Sequence, residues 1–122
     1  MLICSVTRRC NLRCAGCYAR ALHNSAEPEL DDARLAGVLN EAAELGVSLI
    51  LLAGGEPLAR PRLLQLTAAH PEMIFPLFTN GLLIDAPLAA SLAAQPQVVP
   101  VISVEGGHQL TDARRGEGVG LC

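Results

Sequence analysis

Four short apolar runs punctuate the chain: Leu2 to Thr7, Val47 to Ala53, Ile74 to Thr79 and Val98 to Val104. Each is bounded by Gly, Pro or polar residues, the pattern of strands buried in a parallel sheet. Between the runs the apolar period changes. From Glu29 to Leu45, residues Leu30, Ala33, Leu35, Val38, Leu39, Ala42, Ala43 and Leu45 recur near helical spacing. This segment opens with Glu29, Asp31 and Asp32, whose charges suit a helix N-terminus, and stops at Gly46. Arg62 to His70, framed by Pro61 and Pro71, predicts a second helix, and Pro87 to Gln95 predicts a third with proline in its first turn. Strand and helix therefore alternate as βαβαβαβ, which requires a parallel sheet with right-handed crossovers. No linker, repeat or low-complexity tract divides residues 1–122, so one domain with one core is expected, burying roughly two thirds of the unfolded chain's surface.

Composition sharpens this picture. The chain is 51% hydrophobic with a mean hydropathy of +0.37, which argues against disorder, and its 2% aromatic content leaves the core to Leu, Val, Ile and Ala. Net charge is -3 and all nine basic residues are arginine. A phosphate-tracking basic stripe interleaved with aromatics is absent, so nucleic acid is not expected as a direct ligand. Without lysine, Schiff-base chemistry and the P-loop are excluded. The opening MLICSV is too short for a signal-peptide core, and no apolar run reaches the roughly 18 residues of a membrane span. The expected setting is cytoplasmic, where clustered cysteines are metal ligands before they are disulfides.

The unusual residues fall where the strands end. CNLRCAGCY follows the first strand, GGEP (Gly54 to Pro57) the second, TNG (Thr79 to Gly81) the third, and SVEG (Ser103 to Gly106) closes the fourth. In parallel α/β folds the carboxyl ends share one rim, where ligands bind. Cys10, Cys14 and Cys17 are three thiols in the spacing C-x3-C-x2-C. A structural zinc takes four ligands, and a cubane iron-sulfur cluster is normally held by four thiolates, one per iron. Three thiolates leave one iron open to a small molecule. The alternative is a noncatalytic iron-sulfur or zinc module, a knuckle completed by His23 or Cys4.

This cysteine loop, followed by GGEP after the next strand, resembles the radical S-adenosylmethionine (radical SAM) enzymes over residues 1–115. The resemblance implies the first four strands of a partial (β/α)6 TIM-like barrel. It also implies a [4Fe-4S] cluster on Cys10, Cys14 and Cys17, its fourth iron chelated by SAM. In such enzymes the reduced cluster cleaves SAM to a 5'-deoxyadenosyl radical that abstracts hydrogen from substrate. A donor such as flavodoxin or ferredoxin is implied as partner. Gly54, Gly55 and Glu56 would hold the SAM amino group, with Pro57 fixing the exit from the turn. Loss of Glu56 is expected to weaken SAM binding more than the fold. Asn80 matches a position lining the SAM pocket; Ser103 and Glu105, alternating with Val104 on strand four, would face the ribose and methionine end. Arg115, with Arg114 beside it, resembles the arginine that contacts the SAM carboxylate, which a planar guanidinium suits. Where the family commonly carries an aromatic before the third cysteine, this chain has Gly16, and Tyr18 is the alternative surface for adenine. Arg8, Arg9 and Arg13 flank the cysteines and could tune a cluster.

Other residues point to no chemistry. Cys4 alternates with Leu2 and Val6 as a buried small thiol. Cys122 has no context; His23, His70 and His108 are singletons expected to be solvated or capping. Asp31, Asp32, Glu41 and Glu44 are expected as helix-surface charges. After Val104 the residues turn polar and Gly-rich, so no fourth helix is expected to be completed. Strand four is expected as an exposed apolar edge of a truncated barrel.

Overall fold

The computed structural model describes residues 1–22 and 26–121. Four strands, β1 (Leu2–Ser5), β2 (Ile50–Ala53), β3 (Phe75–Thr79) and β4 (Val98–Ile102), form one parallel sheet in sequential order. Registers run from Leu2 opposite Ile50 to Ser5 opposite Ala53, through Leu52 opposite Leu77, to Phe75 opposite Val98 and Thr79 opposite Ile102. The connections carry α1 (Asp32–Glu44), α2 (Leu63–Ala68) and α3 (Ala86–Ala93). The alternating βα pattern is thus present, with strands one to three residues shorter than the apolar runs.

Helix starts follow local capping chemistry. Asp31 caps α1 by accepting from Arg34 N at 2.7 Å, and Asp85 caps α3 by accepting from Leu88 N at 2.9 Å. The sequence places the first helical turn at Glu29, but its carboxylate is drawn instead to the Thr7 hydroxyl and the Arg8 N–H. Helix α2 is short and has no side-chain cap, with Arg62 left-handed at φ 60°.

Helices α1, α2 and α3 cover one face of the sheet. Leu35, Leu39, Leu63 and Leu92 meet Val6, Ile50, Leu52, Leu77 and Val98 there, around Met73 and Phe75. The core is aliphatic except for Phe75, which is fully buried at its centre. On the opposite face Ile3, Phe78, Val99 and Val101 are exposed, and β4 is an edge strand. The strand runs look unbroken because both faces are apolar, although only one is covered by helices. Cys4 is half-buried against the core, and burial pushes its thiol up despite the opposing charge of Arg60. Among the described residues no helix is long and apolar enough to cross a membrane.

A fourth helix does form, contrary to the sequence expectation: α4 (His108–Arg115). It lacks an apolar stripe, so periodicity could not reveal it. Side-chain bonds from its flanks hold it. Glu105 accepts from Arg114 and Arg115, and Asp112 accepts from Gly118 N and Gly120 N past the helix end. Strand β4 ends at Ile102, so Ser103 and Glu105 lie in the turn leading to α4 rather than on one face of a strand.

Candidate active site

The carboxyl ends of all four strands open onto one cavity of about 280 Å³. Cys10, Cys14, Cys17 and Tyr18 line it from the first loop, Gly54 to Glu56 from the second, Phe78 to Asn80 from the third, and Ser103, Arg114 and Arg115 from beyond β4.

The cysteine loop is built onto the sheet. Past the strand ends the ladder continues through Val6 N to Ala53 O at 2.9 Å, Gly55 N to Thr7 O at 2.9 Å and Glu56 N to Arg9 O at 2.7 Å. Two further tethers fix its middle: Asn80 Nδ2 donates to Asn11 Oδ1 at 2.8 Å, and Ala15 N donates to Arg114 O at 2.8 Å. Gly16 turns the chain at φ 69°, a conformation that disfavours the aromatic common at that position in the family. A Cβ on Gly55 would sit 2.2 Å from Arg9 O, and one on Gly54 would sit 2.4 Å from Thr7 O. What the two glycines admit is the backbone of the cysteine loop itself.

Cys10, Cys14 and Cys17 are free, half-buried thiols. Burial pushes the Cys10 thiol up; the Leu12 N–H, 3.4 Å from its sulfur, opposes this, while the charges of Glu56, Cys14 and Cys17 reinforce it. The Cys10 thiol therefore holds its proton until a metal displaces it. Ligands of one zinc must lie within about 4 Å of each other. Among the described residues no three His, Cys, Asp or Glu side chains converge in that way. All three thiols line the one cavity, and a cubane cluster takes one thiolate per iron. The zinc alternative through His23 lies outside the described residues, as does Cys122.

Glu56 is 1% exposed. Its Oε1 accepts from the Thr79 hydroxyl at 2.7 Å and Leu58 N at 3.1 Å, and its Oε2 accepts from Asn80 N at 2.9 Å. The carboxylate therefore ties the end of β2 to the end of β3, and one acceptor position on Oε2 has no partner among the described residues. Glu56 thus has a structural role in the fold beside the ligand role expected of it. Pro57 is buried at the start of a 3₁₀ turn, Pro57–Ala59. Asn80 is both a turn residue and a cavity wall: its Oδ1 accepts from Leu82 N at 3.0 Å while its amide reaches Asn11.

Arg115 does not stand free for a carboxylate. Its Nε and Nη2 donate to Glu105 Oε1 at 2.9 and 2.6 Å, and Arg114 Nη1 donates to Oε2 at 2.8 Å. The Arg115 bonds hold the Glu105 carboxyl below its usual range. Ser103 lines the cavity, whereas Glu105 serves the arginines. Tyr18 is 75% exposed at the rim.

Several residues go beyond the sequence reading. Phe78, 40% exposed, is a second aromatic on the cavity; its alternation with buried Leu77 and Thr79 on β3 was the available signal. Asn11 and Thr79 lie inside the quoted motifs, but their bonds to Asn80 and Glu56 span the fold. Arg8 turns from the cysteines toward Glu27. His70, expected to be solvated or capping, is buried beside Glu72, with Nδ1 3.3 Å from its carboxylate. Asp32 is more than a surface charge, pairing with Arg60 at 2.9 Å and Arg62 at 3.4 Å.

A family model described as the radical SAM superfamily matches residues 4–120. The chain is 35% identical over 118 residues to Fe-coproporphyrin III synthase of Methanosarcina barkeri, covering 95% of this chain and 30% of that protein. It is 39% identical over 93 residues to PqqA peptide cyclase of Gluconobacter oxydans, covering 75% of this chain and 26% of that protein. Among solved structures, native anSMEcpe with bound AdoMet superposes with a TM-score of 0.73 at 26% identity, over 93% of this chain and 34% of that one. The chain thus spans under a third of the length of the curated relatives it matches.

Proposed function

The chain belongs to the radical SAM superfamily, and from that premise we propose that its four strand ends hold a [4Fe-4S] cluster and SAM for radical generation. The observation that carries this reading is the meeting of three free thiols with Glu56, Asn80 and the GGEP turn on one cavity. A cluster held on Cys10, Cys14 and Cys17 supplies the electron that splits SAM into methionine and a 5'-deoxyadenosyl radical, which removes hydrogen from a substrate.

The chain's own groups divide the remaining work. Gly54 and Gly55 seat the cysteine loop close to the SAM-binding turn, and the free acceptor position of Glu56 takes the methionine ammonium. Asn80 holds Asn11, and with it the loop, against β3. Ser103 offers a hydroxyl to the sugar. Tyr18 and Phe78 supply the aromatic faces near adenine that Gly16 does not. Arg115 reaches the SAM carboxylate by exchanging Glu105 for it, one carboxylate for another. The electron comes from a donor of the flavodoxin or ferredoxin kind, in a reducing cytoplasmic setting that suits free cysteines. The relatives' names point to a coproporphyrin and to a peptide, so the substrate proposed is one whose hydrogen abstraction starts a maturation reaction.

Anaerobic reconstitution with iron and sulfide, followed by reduction with SAM, is expected to yield 5'-deoxyadenosine. Cys14→Ala should abolish both cluster absorbance and product. Metal uptake with no effect of SAM on the cluster's spectrum would favour the noncatalytic module instead.

A further inference from the structure

On the outer side of the cysteine loop lies a second concavity, of about 870 Å³, whose chemistry differs from that of the first. Six of the chain's nine arginines line it, against three carboxylates, Glu27, Glu29 and Asp32. Those three are already engaged: Glu27 by Arg8, Glu29 by the Thr7 hydroxyl and Arg8 N, and Asp32 by Arg60 and Arg62. The side chains of Arg13 and Arg20 have no hydrogen bond or ion pair among the described residues. A groove with a surplus of three positive charges, in a chain whose net charge is -3, has gathered its cations against the overall balance.

A second observation is independent of that surplus. Arg60, 9% exposed, forms part of the groove wall; Nη1 donates to Val6 O at 2.6 Å and Nη2 to Leu30 O and Asp32 Oδ1, but its buried Nε has no partner among the described residues. A buried guanidinium N–H without an acceptor is a costly vacancy in a bonding network. Among the described residues no aromatic side chain lines the groove, so they give it no face on which a base would stack.

We infer that this groove is a binding site for a small ligand carrying two or more oxyanion groups, carboxylate or phosphate, gripped by Arg13 and Arg20 over a wall that Arg60 helps to form. Planar guanidinium forks bind such oxygens in pairs, and the volume suits a small molecule. The groove shares Cys10 and Leu12 with the first cavity, but the inference requires neither cluster nor SAM.

The test is calorimetric titration of the 122-residue chain, under reducing conditions, with pyrophosphate in one arm and citrate in the other. One-to-one saturable binding of at least one probe is expected, weakening as salt rises. The arm with the lower Kd identifies the phosphate or carboxylate source. Arg13→Ser and Arg20→Ser should each weaken binding about tenfold. Arg34→Ser, the same charge change outside the groove, should leave binding within about twofold. Circular dichroism of each variant confirms that binding is measured on folded protein. Absence of saturable binding in both arms, or equal losses in Arg34→Ser and the two groove variants, overturns the inference.

Discussion

Replacing Glu56 with Gln keeps the side chain's shape and removes only its charge and one acceptor oxygen. In the structure every neighbour of that carboxylate is a donor: the Thr79 hydroxyl and Leu58 N on Oε1, and Asn80 N on Oε2. An amide oriented with its NH2 toward Asn80 faces a backbone N–H; flipped, it faces Leu58 N instead. Either way one buried backbone donor is orphaned, at about 1–3 kcal/mol, and a charge-assisted bond becomes neutral. A loss of about 2 kcal/mol follows. With a urea slope of about 1–3 kcal/mol/M for a small domain, the midpoint should fall by about 1 M with little change in slope. The assay is urea denaturation of the metal-free chain followed by far-UV circular dichroism, so neither cluster nor SAM contributes. SAM binding by the reconstituted variant, measured without denaturant, is expected to weaken as well. A Gln variant with the wild-type midpoint would refute the reasoning, because the three bonds would then carry no net stability.

Gly55→Ala should displace the cysteine loop, since its Cβ would meet Arg9 O at 2.2 Å; a loss of about 1–3 kcal/mol and poor iron retention are expected, read by denaturation and iron counting. By contrast, Gly37→Ala on the open face of α1, where nothing lies within 4 Å, should stabilise by about 0.5–1 kcal/mol and leave iron content unchanged. Burial alone would raise the Glu29 carboxyl, but bonds from Arg8 N and the Thr7 hydroxyl, with the charges of Arg9 and Arg60, hold it below its usual range. Below the ordinary glutamate range the unfolded chain binds the extra proton first, so this contribution is complete above that range and disappears as pH falls through the depressed folded value. Glu29→Gln should therefore flatten the acid side of the stability profile, measured as urea midpoint against pH.

Asp31 was legible only as a charge suited to a helix N-terminus; that it and Asp85 cap α1 and α3 was decided by their bonds to Arg34 N and Leu88 N. The four strand runs were legible because burial selects apolar residues in short blocks, and the motifs at their carboxyl ends then had to share one rim. The cysteine spacing carried the candidate metal chemistry because C-x3-C-x2-C keeps three thiols on one loop of eight residues. Helix α4 was hidden because it has no apolar stripe; what holds it is the Glu105 clasp on Arg114 and Arg115 and a bond from Ala15, far away in sequence, to Arg114.

By itself, then, the sequence determined the alternation of strand and helix, the parallel sheet and the chemical character of each strand end, all of which follow from period, caps and residue type. Only the tertiary structure decided that Gly54 and Gly55 press against the cysteine loop, that Glu56 ties β2 to β3, that Arg115 grips Glu105, and that six arginines share one groove. The physical reason is distance: hydrogen bonds and steric contacts act over a few ångströms, and folding alone brings Thr7 to Gly55 or Glu56 to Asn80.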